Sequence, residues 1–131
     1  MTLEIRKTST FSPRYPVIDV HTHAFKNPRR FTEIAGHYSG LRDFPVFGSG
    51  SVEDADRTRL EAGVVKRVIK NLAAKPTSVP AANDFAIEIH RRFAQLIACG
   101  TIHAGFSGNE GEIDRLAEAG VRGISMDSSW Q

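Results

Sequence analysis

Asp19-x-His21-x-His23 is the stretch of this chain whose residue types and spacing are best suited to chemistry. It lies in Pro16-Val17-Ile18-Asp19-Val20-His21-Thr22-His23-Ala24-Phe25, a run too short for a helix and rich in residues that favour extended backbone. Alternate side chains of a strand share a face, so Val17, Asp19, His21 and His23 fall on one side and Ile18, Val20 and Thr22 on the other. Two imidazoles at i and i+2 stand roughly 7 Å apart along that face and can bend towards one ion between them. Neutral imidazole is the commonest metal ligand and suits zinc and other divalent transition metals. A bare His-x-His also arises by chance on surfaces. Here a run of buried-type residues leads into the pair, and Asp19 precedes it on the same face, where a carboxylate can orient a ligating imidazole.

The elements that must position this pair follow in alternation. Residues 1–15 are mostly polar and read as a flexible arm. A strand over about 16–23 follows, expected to be buried. Residues 24–50 hold Pro28, Gly36, Gly40, Pro45, Gly48 and Gly50, a long loop with one short helix near Phe31–His37. Ser51-x-x-Asp54 is a variant capping box for a helix that runs to about Ala62 and stops at Gly63. Val64–Ile69 reads as a second strand. After the turn-rich Lys75–Pro80, Ala82, Phe85, Ile89, Phe93 and Leu96 recur at the period of an amphipathic helix. A third strand is expected over Ala98–His103. A helix over Gly108–Ala119 carries Glu110, Glu112 and Asp114 early, where the helix dipole favours negative charge, and an apolar stripe of Ile113, Leu116 and Ala117. Val121 to Met126 reads as a fourth strand. Arg59-Leu60-Glu61-Ala62-Gly63-Val64 is echoed by Glu118-Ala119-Gly120-Val121, each a helix ending at glycine and feeding a strand. Such alternation implies an α/β fold with a parallel sheet and right-handed crossovers.

Composition narrows the classes. The chain has 131 residues, 40% of them apolar, which fits one soluble domain. A net charge of +2, with basic residues spread along the chain, gives no strong claim on nucleic acid. No apolar run approaches the length of a membrane span, and the first residues lack the apolar core of a signal peptide. Cys99 is the single cysteine, so no intrachain disulfide forms and a reducing, cytoplasmic home is the expectation.

Val17–Phe25 resembles the first strand of the amidohydrolase superfamily, above all the amidohydrolase-2 group that includes the aminocarboxymuconate-semialdehyde-decarboxylase-like enzymes. Asn71-Leu72-Ala73-Ala74-Lys75-Pro76 is similar to that group's loop after strand two. Gly100-Thr101-Ile102-His103 is similar to its third-strand signature, with Ala104 in place of a proline and Phe106 as the following aromatic. Ile113–Leu116 through Gly123-Ile124 resembles the next helix and strand. The group continues there as Lys-x-His-Pro-x-aromatic-Gln, whereas this chain reads Ser125-Met126-Asp127-Ser128-Ser129-Trp130-Gln131.

The resemblance implies a (β/α)8 barrel whose first-strand histidines bind a catalytic divalent metal, zinc foremost and manganese next. It assigns His21, His23 and Asp127 as metal ligands, Asp19 as their support, and His103, Lys75 and Trp130 as contacts to a small-molecule substrate. It assigns no catalytic base. The activity it implies is hydrolysis of a C–N or C–O bond by metal-activated water, with a carboxy-lyase of the same group as one alternative and a catalytically inactive interaction module as another. A full barrel needs about 250 residues. Residues 16–131 therefore correspond to its first half, about four strands. The expectation is a fragment of a longer protein, or a chain completed by a second copy or another partner, with neither nucleic acid nor membrane involved.

Overall fold

Right-handed crossovers between consecutive parallel strands carry every connecting helix to the same side of a sheet whose strands lie in chain order. Strands in chain order are found in the computed structural model, which describes residues 13–27 and 48–128. Four strands, β1 (Val17–Thr22), β2 (Val64–Lys70), β3 (Leu96–Thr101) and β4 (Gly123–Ser125), form one parallel sheet in the order β1-β2-β3-β4. The sheet curls as a half-barrel. Three helices join the strands: α1 (Val52–Glu61), α2 (Val79–Arg92) and α3 (Asn109–Glu118), with a short 3-10 turn at Pro76–Ser78 before α2. No helix among the described residues is long and apolar enough to cross a membrane. The short helix expected near Phe31–His37 and most of the N-terminal arm lie outside the described residues.

Helix boundaries follow local chemistry. Ser51 caps α1 by accepting the Asp54 amide at 3.1 Å, and Gly63 ends it at φ +66°, a conformation that glycine adopts without Cβ strain. Gly120 does the same after α3 at φ +88°, and Val121 N–H returns to Leu116 O at 2.9 Å. The two echoing Ala-Gly-Val segments are thus the same device. α2 stops earlier than its apolar spacing predicts. Phe93 is extended (φ −126°, ψ 99°), so it and Leu96 leave the helix, and Leu96 opens β3. The third strand accordingly spans Leu96–Thr101, two residues ahead of expectation, and His103 lies beyond its end.

The core lies between helices and sheet. Ile69, Leu96 and Ala98 pack with Phe85, Ala86, Ile89 and Leu116. Each fully buried Ile or Leu contributes about 1.5–3 kcal/mol. Of the stripe expected on α3, only Leu116 is buried; Ile113 is 41% exposed. β3 has no side chain at Gly100, and a Cβ there would stand 2.2 Å from Leu116 Cδ1. That missing methyl lets α3 seat on the sheet. Asn83, fully buried within α2, ties the layers together: its Oδ1 accepts Thr101 N–H at 2.7 Å, and its Nδ2 donates to Thr101 O at 3.1 Å and Glu112 Oε2 at 2.8 Å.

β1 is not the buried strand its sequence suggests. It is an edge of the described sheet, and Val17, Ile18 and Val20 are 39, 51 and 69% exposed. At the other edge, Ile124 and Met126 are likewise exposed.

Candidate functional site

Parallel strands in chain order place all their C-terminal ends together, so residues 21–23, 70–71, 101–103 and 125–127 gather at one rim. The register of β1 against β2 slips there. Asp19 pairs with Arg67 and Thr22 with Ile69, three residues of β1 spanning two of β2. An extra residue in one strand breaks the strict alternation and re-aims the side chains around it. Asp19 and Thr22, which alternation would put on opposite faces, hydrogen-bond to each other: Thr22 Oγ1 donates to Asp19 Oδ2 at 3.0 Å. Asp19 Oδ1 accepts the His21 backbone N–H at 3.2 Å. Arg67 Nε stands 3.1 Å from Asp19 Oδ2, an ion pair by distance whose N–H is not aligned for a hydrogen bond. The same arginine donates through Nη1 to Ala55 O at 2.7 Å and Thr58 Oγ1 at 2.9 Å. Asp19 therefore braces the backbone of the irregularity.

The imidazoles meet beyond it. His23 Nδ1 lies 2.9 Å from Lys70 O. A carbonyl only accepts, so His23 Nδ1 carries the proton and its Nε2 holds the lone pair. That Nε2 stands 3.3 Å from His21 Nε2, with the rings 72° apart. Two nitrogens bound to one tetrahedral zinc at 2.0–2.1 Å would stand about 3.3 Å apart. The pair can therefore share either a proton or a cation with little movement. A ring N–H anchored on a backbone carbonyl is also the usual outer support of a ligating histidine. Burial is the main influence on His23 and lowers its pKa below the ordinary 6.5; the Lys70 carbonyl bond opposes this, the charges of His21 and Lys70 lower it further, and Asp127 raises it. The ring thus favours the neutral form that a metal requires.

Asp127 is half-buried and near enough for its charge to act on His23. No group of three or more His, Cys, Asp or Glu side chains among the described residues is placed to hold a metal ion. The donors in place are the two imidazoles. His103 is buried at the β3 end, where its Nδ1 accepts Gly105 N–H at 3.0 Å and its backbone is clamped by the Asn109 amide, N–H to Oδ1 at 3.3 Å and O to Nδ2 at 2.8 Å. Lys75 is exposed, and its extended backbone is what the following Pro76 requires. Trp130 lies outside the described residues.

Two groups at the rim escape a reading of the sequence. Lys70 ends β2, and its charge acts on both His23 and Cys99. Burial pushes the Cys99 thiol up, and Lys70 pulls it the other way. Asn71, buried, donates to Cys99 O at 2.9 Å and holds the β2 end to β3. The signal for Lys70 was its register: it faces Cys99 directly across the ladder. A cavity of about 320 Å³ opens beside the pair, lined by His23, Phe25, Lys26, Asn27, Lys70 and Asn71 among others. A larger cavity, about 580 Å³, lies between α2 and α3 among Asp84, Arg91, Arg92 and Arg115, lined by no residue of the four strand ends.

Comparison with models of known protein families, with curated proteins and with solved structures finds no match.

Proposed function

We propose that this chain carries part of a metal-dependent hydrolase site of the amidohydrolase-2 type, with His21 and His23 as ligands to zinc or manganese. The observation that carries the proposal is the 3.3 Å separation of the two Nε2 atoms, with the far side of His23 anchored on the Lys70 carbonyl. The resemblance of Val17–Phe25 to the first strand of that group supports it. A divalent metal held there would supply Lewis acidity for a bound water and a substrate carbonyl. The chain's own residues have separate tasks. Asp19 and Arg67 fix the irregular backbone that turns the imidazoles together. Lys70 O holds the His23 ring in one tautomer. Asp127 favours positive charge at His23. The proposed barrel is completed by strands outside this sheet, from the rest of a longer chain, a second copy or another partner, which cover the exposed edges at Val20 and Ile124.

A second reading, a small α/β interaction module that keeps the strand pattern without the chemistry, is favoured by one observation: only two metal donors converge among the described residues. Metal content per chain separates the two. The protein is purified with zinc and manganese offered, as wild type and as His21→Ala/His23→Ala, and measured by elemental analysis. The metal reading expects about one ion per folded wild-type chain and loss in the double variant. No metal in the wild type, or equal metal in both, overturns it and leaves the module.

A further inference from the structure

Two arginines hold α1 on β2 from opposite directions. Arg59, buried in α1, donates to Val64 O at 2.9 Å and Val65 O at 3.4 Å and pairs with Asp56 at 2.8 Å. Arg67, on β2, reaches the other way: its Nη1 donates to Ala55 O at 2.7 Å and to Thr58 Oγ1 at 2.9 Å. The Thr58 hydroxyl gives its proton to Asp54 O at 2.8 Å, so its oxygen stands as an acceptor towards Arg67. The arginines differ in what lies behind them. Arg59 pairs within its own helix. Arg67 lies across the ladder from Asp19, and its Nε stands 3.1 Å from Asp19 Oδ2 at the point where the register slips.

Stability is a weak reason for the second arrangement. The Arg67 side chain is only 12% exposed, and taking a guanidinium and a carboxylate out of water offsets much of their attraction. What the arrangement fixes is position. A guanidinium is planar and carries its donors in a rigid fork, so a single inflexible group spans from α1 to Asp19. Asp19 in turn accepts the His21 backbone N–H and the Thr22 hydroxyl. Helix, arginine, carboxylate and histidine backbone thus form a connected path from Thr58 to His21.

We infer that Arg67 is a positioning residue for the histidine pair and that Thr58 acts on the pair through it, so that the seat of α1 sets how closely His21 and His23 converge on a cation. This deepens the site proposed above and rests on that reading for the cation being a metal; the effect on the imidazoles themselves requires none.

The test has a metal-free and a metal-bound readout. Nitrogen–proton NMR of the histidine rings in EDTA-treated protein follows the imidazoles, and calorimetric zinc titration gives affinity and stoichiometry separately. Arg67→Lys keeps the charge and loses the fork; it is expected to shift the His21 and His23 ring signals and to weaken zinc about tenfold or more at unchanged stoichiometry. Thr58→Val is expected to shift the same signals by less, and Thr58→Ser, which keeps the hydroxyl, to restore them. Arg59→Lys is the control: it loosens α1 and lowers the urea midpoint, and leaves the ring signals and zinc affinity as in wild type. Unmoved ring signals or wild-type zinc affinity in Arg67→Lys overturns the inference and leaves the metal reading standing. A lower stoichiometry at unchanged affinity, or an equal loss of affinity in Arg59→Lys, marks general loosening and also overturns it. If Arg67→Lys does not fold, the Thr58 variants decide: a shift in Thr58→Val that Thr58→Ser reverses supports the inference, and no shift overturns it. A wild type that takes no zinc removes the metal reading, and the ring spectra then judge this inference by themselves.

Discussion

Asn83 is the residue whose replacement tests the architecture most sharply. It is fully buried, and its amide makes both hydrogen bonds to Thr101 and a third to Glu112. Asn83→Ala leaves the Thr101 N–H and C=O without these partners at the end of a buried strand, at about 1–3 kcal/mol each. The Glu112 carboxylate keeps Arg115, so its share is smaller, about 0.5–1 kcal/mol. The sum, about 2.5–7 kcal/mol, is a large part of the ~5–15 kcal/mol that holds a domain together. Asn83→Asp keeps the volume and one acceptor for Thr101 N–H, but turns an oxygen on Thr101 O and on Glu112 Oε2 where a donor stood. At neutral pH it is expected to be no more stable than Asn83→Ala. Its stability has a definite pH sign. The introduced carboxyl, facing another carboxylate, has its pKa raised in the folded state, so its contribution is fully present below the unfolded pKa and is lost as pH rises from there through the raised folded value. Urea unfolding followed by circular dichroism, at neutral pH and at about pH 4, measures both effects. A loss below about 1 kcal/mol for Asn83→Ala, or an Asn83→Asp variant as stable as wild type at neutral pH, would refute the clamp.

Two further outcomes follow from the packing and the histidines. Gly100→Ala puts a methyl 2.2 Å from Leu116 Cδ1, at an expected cost of about 1–3 kcal/mol; adding Leu116→Ala should give a double variant less destabilised than the sum of the single changes, and strict additivity in urea unfolding would sink the contact. The lowered pKa of His23 means that the unfolded chain binds more protons there than the folded one once pH falls below 6.5, so stability is lost as pH drops through that window and levels off below the folded value; His23→Gln should flatten this slope, and an unchanged slope would show that another group causes it.

Helix and strand order were legible in the sequence because they rest on local signals. Ser51 and Asp54 announced α1, the two glycines at 63 and 120 announced helix ends, and the apolar spacing announced α2. What local signals could not carry was tertiary choice. The helical period runs on through Phe93 and Leu96, yet the chain turns at Phe93 because Leu96 is buried in the sheet. Val17, Ile18 and Val20 have the types of a central strand, but burial depends on what lies beside β1, and an edge leaves them exposed. Asn83 was hidden for a related reason. It occupies a buried position four residues after Val79, where the period asks for an apolar side chain, and its value appears only when Thr101 and Glu112 come to meet it.

The histidine pair shows most plainly how far spacing alone can reach. Strict alternation brings Asp19, His21 and His23 to one face and makes the carboxylate a partner of the imidazoles. The slip in register between Asp19 and Thr22 undoes that arrangement. Asp19 turns to Thr22, the His21 backbone and Arg67, and the support that the carboxylate was expected to give His23 comes from the Lys70 carbonyl. The exchange has a consequence for the chemistry. A carboxylate on Nδ1 would make His23 more basic and more easily protonated, whereas a carbonyl fixes the same tautomer with no added charge. With burial lowering its pKa as well, His23 stays neutral and its Nε2 lone pair stays available to a cation. Positive charge at this rim is instead supplied by Lys70, on the same residue whose carbonyl holds the ring. One position at the end of β2 thus sets the orientation of a candidate metal ligand and adds a positive charge that favours its neutral form.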